Sequence, residues 1–266
     1  MIEITNEENL KNSELRRFKT FIPVIDEITN GGLPRSKIIN VCGTCEVEMQ
    51  SLLLQITASI IENYNKNVFY FDIDNNLSLE LIDSMQCTQY LFDPNENPKG
   101  KLYIFNSSSI QDLISSLSMI SKDPKAGLII IDSETAIIDK DQLFDGTDQS
   151  QFNMDSKSKM WSRYIKKINA ILTQTQASMI IVSQTRFDNS GFTPVLSSTA
   201  CRVIRFMRCG EIFIKQKYLL DKNLNRVLDE DYYNIRGAML EFTTNKSKII
   251  KSETSMEAVF TFFKGL

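Results

Sequence analysis

Short apolar segments that end at polar or acidic residues alternate along most of this chain with longer segments of helical periodicity. Each apolar segment is nearly continuous, which is typical of strands buried on both faces of a parallel sheet. The alternation predicts an α/β fold in which helices cover both faces of a mainly parallel sheet. The predicted strands are Lys37–Cys42, Val68–Asp72, Leu102–Phe105, Leu128–Ile131 and Met179–Val182, and the predicted helices are Val47–Asn63, Leu77–Met85, Ile110–Ile120 and Asp155–Gln174.

The pattern changes after Ser183. The segment Arg186–Thr199 contains Gly, Ser, Thr and Pro and predicts a loop. No clear helical segment separates the apolar runs beyond it, so we expect an antiparallel extension of the same sheet. The simplest division is an N-terminal arm over residues 1–20 and one core domain over residues 21–266. The strands predicted in the extension are Val203–Phe206, Glu211–Lys215, Ala238–Thr243 and Val259–Phe263.

Composition excludes several classes of protein. Of the 266 residues, 42% are apolar, which suffices for a sizeable core, yet no run approaches the roughly 18–20 apolar residues of a membrane span. The odd number of cysteines, five, favours reduced thiols, and the polar N-terminus does not resemble a signal peptide. We therefore expect an intracellular protein without a membrane association. The chain has no histidine, which removes the commonest general base and the commonest metal ligand.

The net charge of −3 conceals an uneven distribution. Residues 1–150 hold 12 basic and 23 acidic residues, whereas residues 151–251 hold 17 basic and 8 acidic residues. A basic half that also contains aromatic residues indicates a surface for a polyanion. The alternative is that these lysines and arginines are simply solvated on exposed faces.

The segment after the first predicted strand lies where a sheet of this kind binds phosphate. The working pattern is G-x-x-x-x-G-K-[ST], and here Gly43 matches its first glycine. Glu48 replaces the second glycine, Met49 the lysine and Gln50 the metal-binding hydroxyl, with Ser51 following. The segment is either a degenerate phosphate loop or an ordinary turn between a strand and a helix.

These replacements remove the chemistry of the loop. Methionine cannot neutralise phosphate charge, and Glu46 and Glu48 add negative charge that would repel a nucleotide. Phosphoryl transfer depends on electrostatic stabilisation by the groups that are missing. We therefore expect no bound cofactor, with ATP and Mg²⁺ as the alternative.

Cys42-Gly-Thr-Cys45 also forms a C-x-x-C motif between a strand and a helix. A helix N-terminus lowers the pKa of a thiol, so a redox site is a rival interpretation. The residue before the motif is Val41, however, and the remaining chain does not follow the small thioredoxin-like fold. Two cysteines packed in the core are the favoured interpretation.

Acidic residues follow two of the predicted strands. Asp72 and Asp74 end the second strand, and Asp132 ends the fourth. Ligands bind at the carboxyl ends of strands in open α/β sheets, so Asp132 is the candidate for a vestigial metal site. The alternative is that these carboxylates cap the turn or helix that follows each strand.

Residues 20–263 resemble the RecA family of recombinases. The resemblance rests on IPVIDEITNGGLPRSKIINVCG around the phosphate loop, on VFYFDID, on LIIIDS and on MIIVSQTR. By this resemblance Asp74 matches the family's catalytic acidic residue, Asp132 the Walker B acid and Gln184 the nucleotide-sensing glutamine. The implied fold is a RecA-like P-loop NTPase core, and the degenerate loop is most similar to that of divergent recombinase paralogues.

The same resemblance assigns the loops. Gly146–Lys159 occupies the place of the family's first DNA-binding loop and Arg186–Thr199 the place of the second. Arg202 resembles a basic residue that contacts nucleotide across the filament interface, and Lys246 matches a second such position. The short arm and the degenerate loop depart from the family's pattern.

Basic and aromatic residues at and after the second loop are the candidate contacts to single-stranded DNA. These candidates are Arg186, Phe187, Phe192, Arg202, Arg205 and Arg208. The long helix supplies a second basic surface, and its members are Lys157, Lys159, Arg163, Lys166 and Lys167. The alternative is that Phe192 packs the loop and the helix surface is only solvated.

The function that these observations indicate is that of an accessory protein in homologous recombination and DNA repair. It would bind single-stranded DNA, a RecA-type recombinase or a sister paralogue as a hetero-oligomer, without efficient ATP hydrolysis. One alternative is an active DNA-dependent ATPase or strand-exchange recombinase with a non-standard phosphate loop. Another is a scaffold without a role at DNA. A eukaryotic protein of this kind would be nuclear, and a bacterial or phage protein cytoplasmic.

Overall fold

The computed structural model describes residues 17–91, 99–139, 154–188, 195–227, 235–245 and 247–262. Their strands are β1 (Arg17–Phe18), β2 (Leu33–Pro34), β3 (Ile38–Gly43), β4 (Asn67–Asp72), β5 (Leu102–Phe105), β6 (Ala126–Asp132), β7 (Ser178–Ser183), β8 (Thr185–Asp188), β9 (Val195–Ser198), β10 (Gly210–Leu220), β11 (Gly237–Thr244) and β12 (Ser255–Thr261). The α-helices are α1 (Pro23–Ile28), α2 (Glu46–Tyr64), α3 (Leu79–Ser84), α4 (Ile110–Ile120), α5 (Met154–Thr175) and α6 (Arg202–Met207).

Within the described residues, the main sheet has eight strands in the order β12-β11-β10-β3-β7-β6-β4-β5. The pairs from β10 to β5 are parallel, whereas β10–β11 and β11–β12 are antiparallel. The predicted α/β fold, with a parallel sheet and an antiparallel extension, is confirmed. Among the described residues, no helix combines the length and the apolar character that crossing a membrane demands.

Side chains from both faces of the sheet are buried. All seven residues of β6 are buried, and its apolar side chains point alternately into two cores. Leu128 and Ile130 join the core beneath α2, and Ile129 and Ile131 join the core beneath α4 and α5. The near-continuous apolar runs in the sequence have this origin, because a strand covered on both faces needs apolar residues at every position.

Two local predictions are wrong. Val203–Phe206, predicted as a strand, belongs to the helix α6. The segment Arg186–Thr199, predicted as a loop, contains most of β8 and all of β9, which pair antiparallel as a ribbon. Helix α6 forms because Val203, Ile204 and Met207 fall on one side of a helical turn and pack against the core beneath α5.

Candidate functional site

An open cleft of about 570 Å³ lies at the carboxyl ends of β3, β6 and β7. Ligands occupy this edge of parallel sheets because strand-end loops and helix N-termini converge there. The phosphate-loop residues Gly43 and Met49 line it, and so do Asp74, Asp132 and Gln184. The structure therefore brings these five predicted site residues to one place.

The loop between β3 and α2 is short. Strand β3 ends at Gly43 and α2 begins at Glu46, so only Thr44 and Cys45 connect them. The amide of Thr44 donates a 3.2 Å hydrogen bond to the carbonyl of Ile214 on β10. That amide is directed at the neighbouring strand, and only Cys45 separates it from the helix.

Met49 closes the space above this loop. Its side chain is 7% exposed, and its Sδ lies 3.0 Å from where a Cβ on Gly43 would stand. A lysine in this position would carry its ammonium group to phosphate, whereas the thioether packs against the strand end. The following residues Gln50 and Ser51 are also buried, with 6% and 2% exposure.

Asp132 is held by two neutral donors. The hydroxyl of Tyr70, on β4, donates a 2.6 Å hydrogen bond to its Oδ2, and the Gln50 side chain also hydrogen-bonds to it. Burial raises the pKa of Asp132 to about 6, and the charges of Asp74 and Asp72 act in the same direction. The Gln50 side chain, at the position of the metal-binding hydroxyl in a working loop, thus opposes the rise in the pKa of Asp132.

The other strand-end acids have different environments. Asp72 accepts hydrogen bonds from the amides of Asn76 at 3.1 Å and Leu77 at 3.1 Å, so it caps the turn after β4. Asp74 accepts a 2.8 Å hydrogen bond from the hydroxyl of Ser133. The capping interpretation therefore holds for Asp72, while Asp74 faces the cleft.

The lining of the cleft is acidic. Its charged residues are Glu46, Asp74 and Asp132, and none of the described residues that line it is a lysine or arginine. In the described part of the chain, no three His, Cys, Asp or Glu side chains lie together in a way that could hold a metal ion. The carboxylates repel the phosphates of a nucleotide, since like charges meet in a partly buried site.

The structure does not favour the redox interpretation of Cys42 and Cys45. Both thiols are free and buried. Burial raises the pKa of Cys45 to about 12, and burial also raises the pKa of Cys42. A reactive thiol requires a lowered pKa and access to solvent, and these two have neither.

The β8–β9 ribbon begins at the cleft. The hydroxyl of Thr185 donates a 3.3 Å hydrogen bond to the carbonyl of Gly43, and the amide of Thr199 donates to the carbonyl of Gln184 at 2.9 Å. Arg186, the first predicted DNA contact, is exposed on β8. The side chain of Phe187, together with Phe192 and Lys246, lies outside the described residues.

Arg208 is part of a buried polar network. It forms an ion pair with Glu211, and the two side chains are 14% and 3% exposed. Arg208 also lies 3.3 Å from Oδ1 of Asn40, which accepts a 3.2 Å hydrogen bond from Ser198 on β9. This geometry favours a structural role for Arg208, and its contact with DNA stays a prediction.

The other predicted basic contacts lie on the surface. Arg202 and Arg205 are exposed on α6. On α5, Lys159, Arg163, Lys166 and Lys167 are exposed. Phe206 and Lys248 could not be identified from the sequence alone. Phe206 lies on α6 with Arg202 and Arg205, whereas Val203–Phe206 was predicted as a strand. The signal in the sequence for this shared helix was the spacing of Arg202, Arg205 and Phe206, because residues three and four apart lie on the same side of a helix.

Comparisons with known proteins agree with this arrangement. The sequence model of the RecA N-terminal domain matches residues 11–208. Protein RecA of Mycoplasma genitalium is 26% identical over 248 residues, covering 91% of this chain and 65% of the relative. Protein RecA of Mycoplasma pneumoniae is 22% identical over 248 residues, covering 91% of this chain and 66% of that relative. The chain thus spans about two thirds of the length of these curated relatives.

Among solved structures, the crystal structure of the RadB recombinase superposes with a TM-score of 0.60. The match covers 93% of this chain and 97% of that chain at 16% sequence identity. At this identity the likeness concerns the fold.

Proposed function

Because the chain belongs to the RecA family, we propose that it is an accessory protein of homologous recombination and DNA repair. In this role it binds single-stranded DNA and a RecA-type recombinase or a sister paralogue, and it does not hydrolyse ATP efficiently. The observation that carries the proposal is the cleft, where Met49 takes the place of the phosphate-binding lysine and the lining is acidic.

The residues of the cleft do not fit ATP with Mg²⁺. A phosphate loop holds its ligand by several backbone amides and one lysine, but here the amide of Thr44 donates to Ile214 and Met49 carries no charge. The carboxylate of Asp132 already accepts hydrogen bonds from Tyr70 and Gln50. A metal ion would have to compete with these donors for the carboxylate.

Retained residues favour a second candidate function. Asp74 and Gln184 line the cleft at positions that match functional residues of the family. An active DNA-dependent ATPase with a non-standard loop would use them. The two candidates differ in whether the purified protein binds nucleotide.

The first experiment is a titration of the purified protein with ATP and Mg²⁺ by calorimetry, with and without oligo(dT). We expect no measurable binding and no hydrolysis. A matched variant carries Glu48→Gly, Met49→Lys and Gln50→Thr together, which restores the loop pattern, and we expect it to gain affinity for ATP. Tight Mg²⁺-dependent binding by the unaltered protein, lost in Asp132→Asn, would instead establish the active ATPase.

The second experiment concerns partners. Co-purification from the native host should recover a RecA-type protein with an intact phosphate loop. The rationale is that a protein whose own loop carries Met49 in place of the phosphate-binding lysine would act beside a relative that still binds nucleotide. Recovery of homo-oligomers alone would count against the accessory role.

A further inference from the structure

The outer surface of α6 carries an aromatic ring in solvent. Phe206 is 72% exposed, more than any other large apolar side chain of the described residues. The opposite side of the helix buries Ile204 and packs Val203 and Met207 against the core. Phe206 is therefore not needed for packing of this helix, and its ring is accessible to a ligand.

A lysine fixes the position of this ring. The Nζ atom of Lys248 lies 5.0 Å from the ring centroid and donates a 2.7 Å hydrogen bond to the carbonyl of Phe206. The backbone of Lys248 is anchored as well, because its amide donates a 2.9 Å hydrogen bond to the carbonyl of Cys209. The Phe206–Lys248 pair is thus preorganised, with one side of the ring under the ammonium group and most of its surface still exposed.

Exposed cations lie on α6 and near its C-terminal end. The side chains of Arg202, Arg205 and Lys37 are exposed. Among the described residues, no carboxylate forms an ion pair with any of these three side chains or with Lys248. Burial raises the pKa of the nearby Cys209 to about 11, and the positive charges of Arg17, Lys37 and Lys248 oppose that rise. Several cations therefore act on one small area around the end of α6.

We propose that Phe206 and Lys248 form a stacking platform for a base of single-stranded DNA, with Arg202 and Arg205 binding the flanking phosphates. This rests on the proposed function, for which it names a binding site. Proteins that bind single strands combine cations that follow the backbone with aromatic rings that stack on bases. An apolar protein partner would desolvate the cations around one ring without neutralising them, whereas a single strand supplies both a base and phosphates.

The platform does not depend on which base is present, because every base offers an aromatic surface. Phosphate contacts by Arg202 and Arg205 carry no sequence information either. Binding at this site is therefore independent of sequence and weakens as salt concentration rises.

The test compares two labelled ligands, oligo(dT) and an abasic oligomer with the same number of phosphates. Phe206→Ala should weaken binding of oligo(dT) about tenfold or more and leave the abasic oligomer unaffected. Phe206→Trp should keep the affinity, and its added fluorescence should be quenched by oligo(dT). Leu79→Ala is the matched control, since Leu79 is 67% exposed on another helix.

The outcomes separate the platform from the proposed function. If the unaltered protein binds oligo(dT) and Phe206→Ala binds it equally well, the platform is wrong and DNA binding stands. If Phe206→Ala weakens binding of both ligands equally, stacking is also wrong. Stacking is wrong as well if Phe206→Ala abolishes binding to a partner protein and leaves oligo(dT) binding unchanged. If the unaltered protein does not bind oligo(dT) at all, both proposals fail. Double charge reversal at Arg202 and Arg205 should weaken binding of both ligands.

Discussion

The hydroxyl of Tyr70 on β4 donates a 2.6 Å hydrogen bond to the carboxylate of Asp132 at the end of the neighbouring strand β6. Both side chains are buried, and the pKa of Asp132 is raised to about 6 from its ordinary value of 3.8. Between pH 3.8 and about 6, the native state thus keeps a proton on Asp132 that the unfolded chain releases. The contribution of this carboxyl to stability is largest below its ordinary pKa and is lost as the pH rises through about 6.

We expect Tyr70→Phe to lower the free energy of unfolding more at about pH 8 than at about pH 5. At the higher pH Asp132 is ionised, and a lost hydrogen bond to a buried charge costs about 1.5–3 kcal/mol, against about 0.5–1.5 kcal/mol for a neutral pair. Urea unfolding at both pH values measures the difference. Tyr90→Phe is the control, because Tyr90 donates a hydrogen bond to the carboxylate of Glu62. The hydrogen bonds from Lys99 and Tyr90 lower the pKa of Glu62, so this carboxylate is ionised at both pH values. Equal losses for Tyr70→Phe would contradict the assignment.

Gly43→Ala should destabilise the protein by about 1–3 kcal/mol, as overpacking of a filled site does. A Cβ at this position would overlap the backbone oxygen of Ile214, which cannot rotate away as a side chain can. The measurement is the midpoint of urea unfolding, which should shift while the dependence of the free energy of unfolding on urea concentration stays the same. Thr44→Ala, at the exposed neighbouring position, should change little. A Gly43→Ala protein as stable as Thr44→Ala would show that the strand end is not tightly packed.

The Arg208–Glu211 pair should show strong coupling in a double-mutant cycle. Burial raises the pKa of Glu211, and the charge of Arg208 opposes the rise. Arg208→Met leaves a buried carboxylate without its cation and should cost about 3–5 kcal/mol, whereas adding Glu211→Gln should restore part of the loss. The exposed Lys217–Glu257 pair, with side chains 37% and 46% exposed, should show much weaker coupling. Additive losses at Arg208 and Glu211 would argue against the network.

The five thiols should not react with a disulfide reagent in the native protein. All five cysteines are free and buried, and burial raises the pKa of each, to about 12 for Cys87 and about 11 for Cys209. In denaturant, all five should react. Rapid native reaction that disappears in a Cys42→Ser, Cys45→Ser double variant would revive the redox interpretation of the C-x-x-C motif.

The sequence predicted the sheet well because burial on both faces leaves a strong local signal. Strand β6 is buried along its whole length, so its composition alone identifies it. The helix α6 was missed because it has six residues, among them the β-branched Val203 and Ile204, which favour strands. Its helical form is decided by contacts with distant residues, and a short sequence window does not contain them.

The candidate site was predictable only in part. The rule that strand ends converge places Asp74, Asp132 and Gln184 together, and the structure agrees. The partner of Asp132 depends on which strands are neighbours and on their register, and no local pattern indicates that β4 adjoins β6. Tyr70 was therefore assigned only to a buried strand, and Gln50 was identified only by what it replaces.

The hydrogen bond from Thr185 to the carbonyl of Gly43 ties the base of the β8–β9 ribbon to the floor of the cleft. Any ligand that displaces the ribbon must stretch or release this bond, and any ligand that enters the cleft meets the same atoms. Linkage then requires reciprocity, so that each ligand changes the affinity for the other by the same factor. Communication between the two regions, in either direction, would survive the loss of nucleotide chemistry, because this contact is made by atoms of the protein itself.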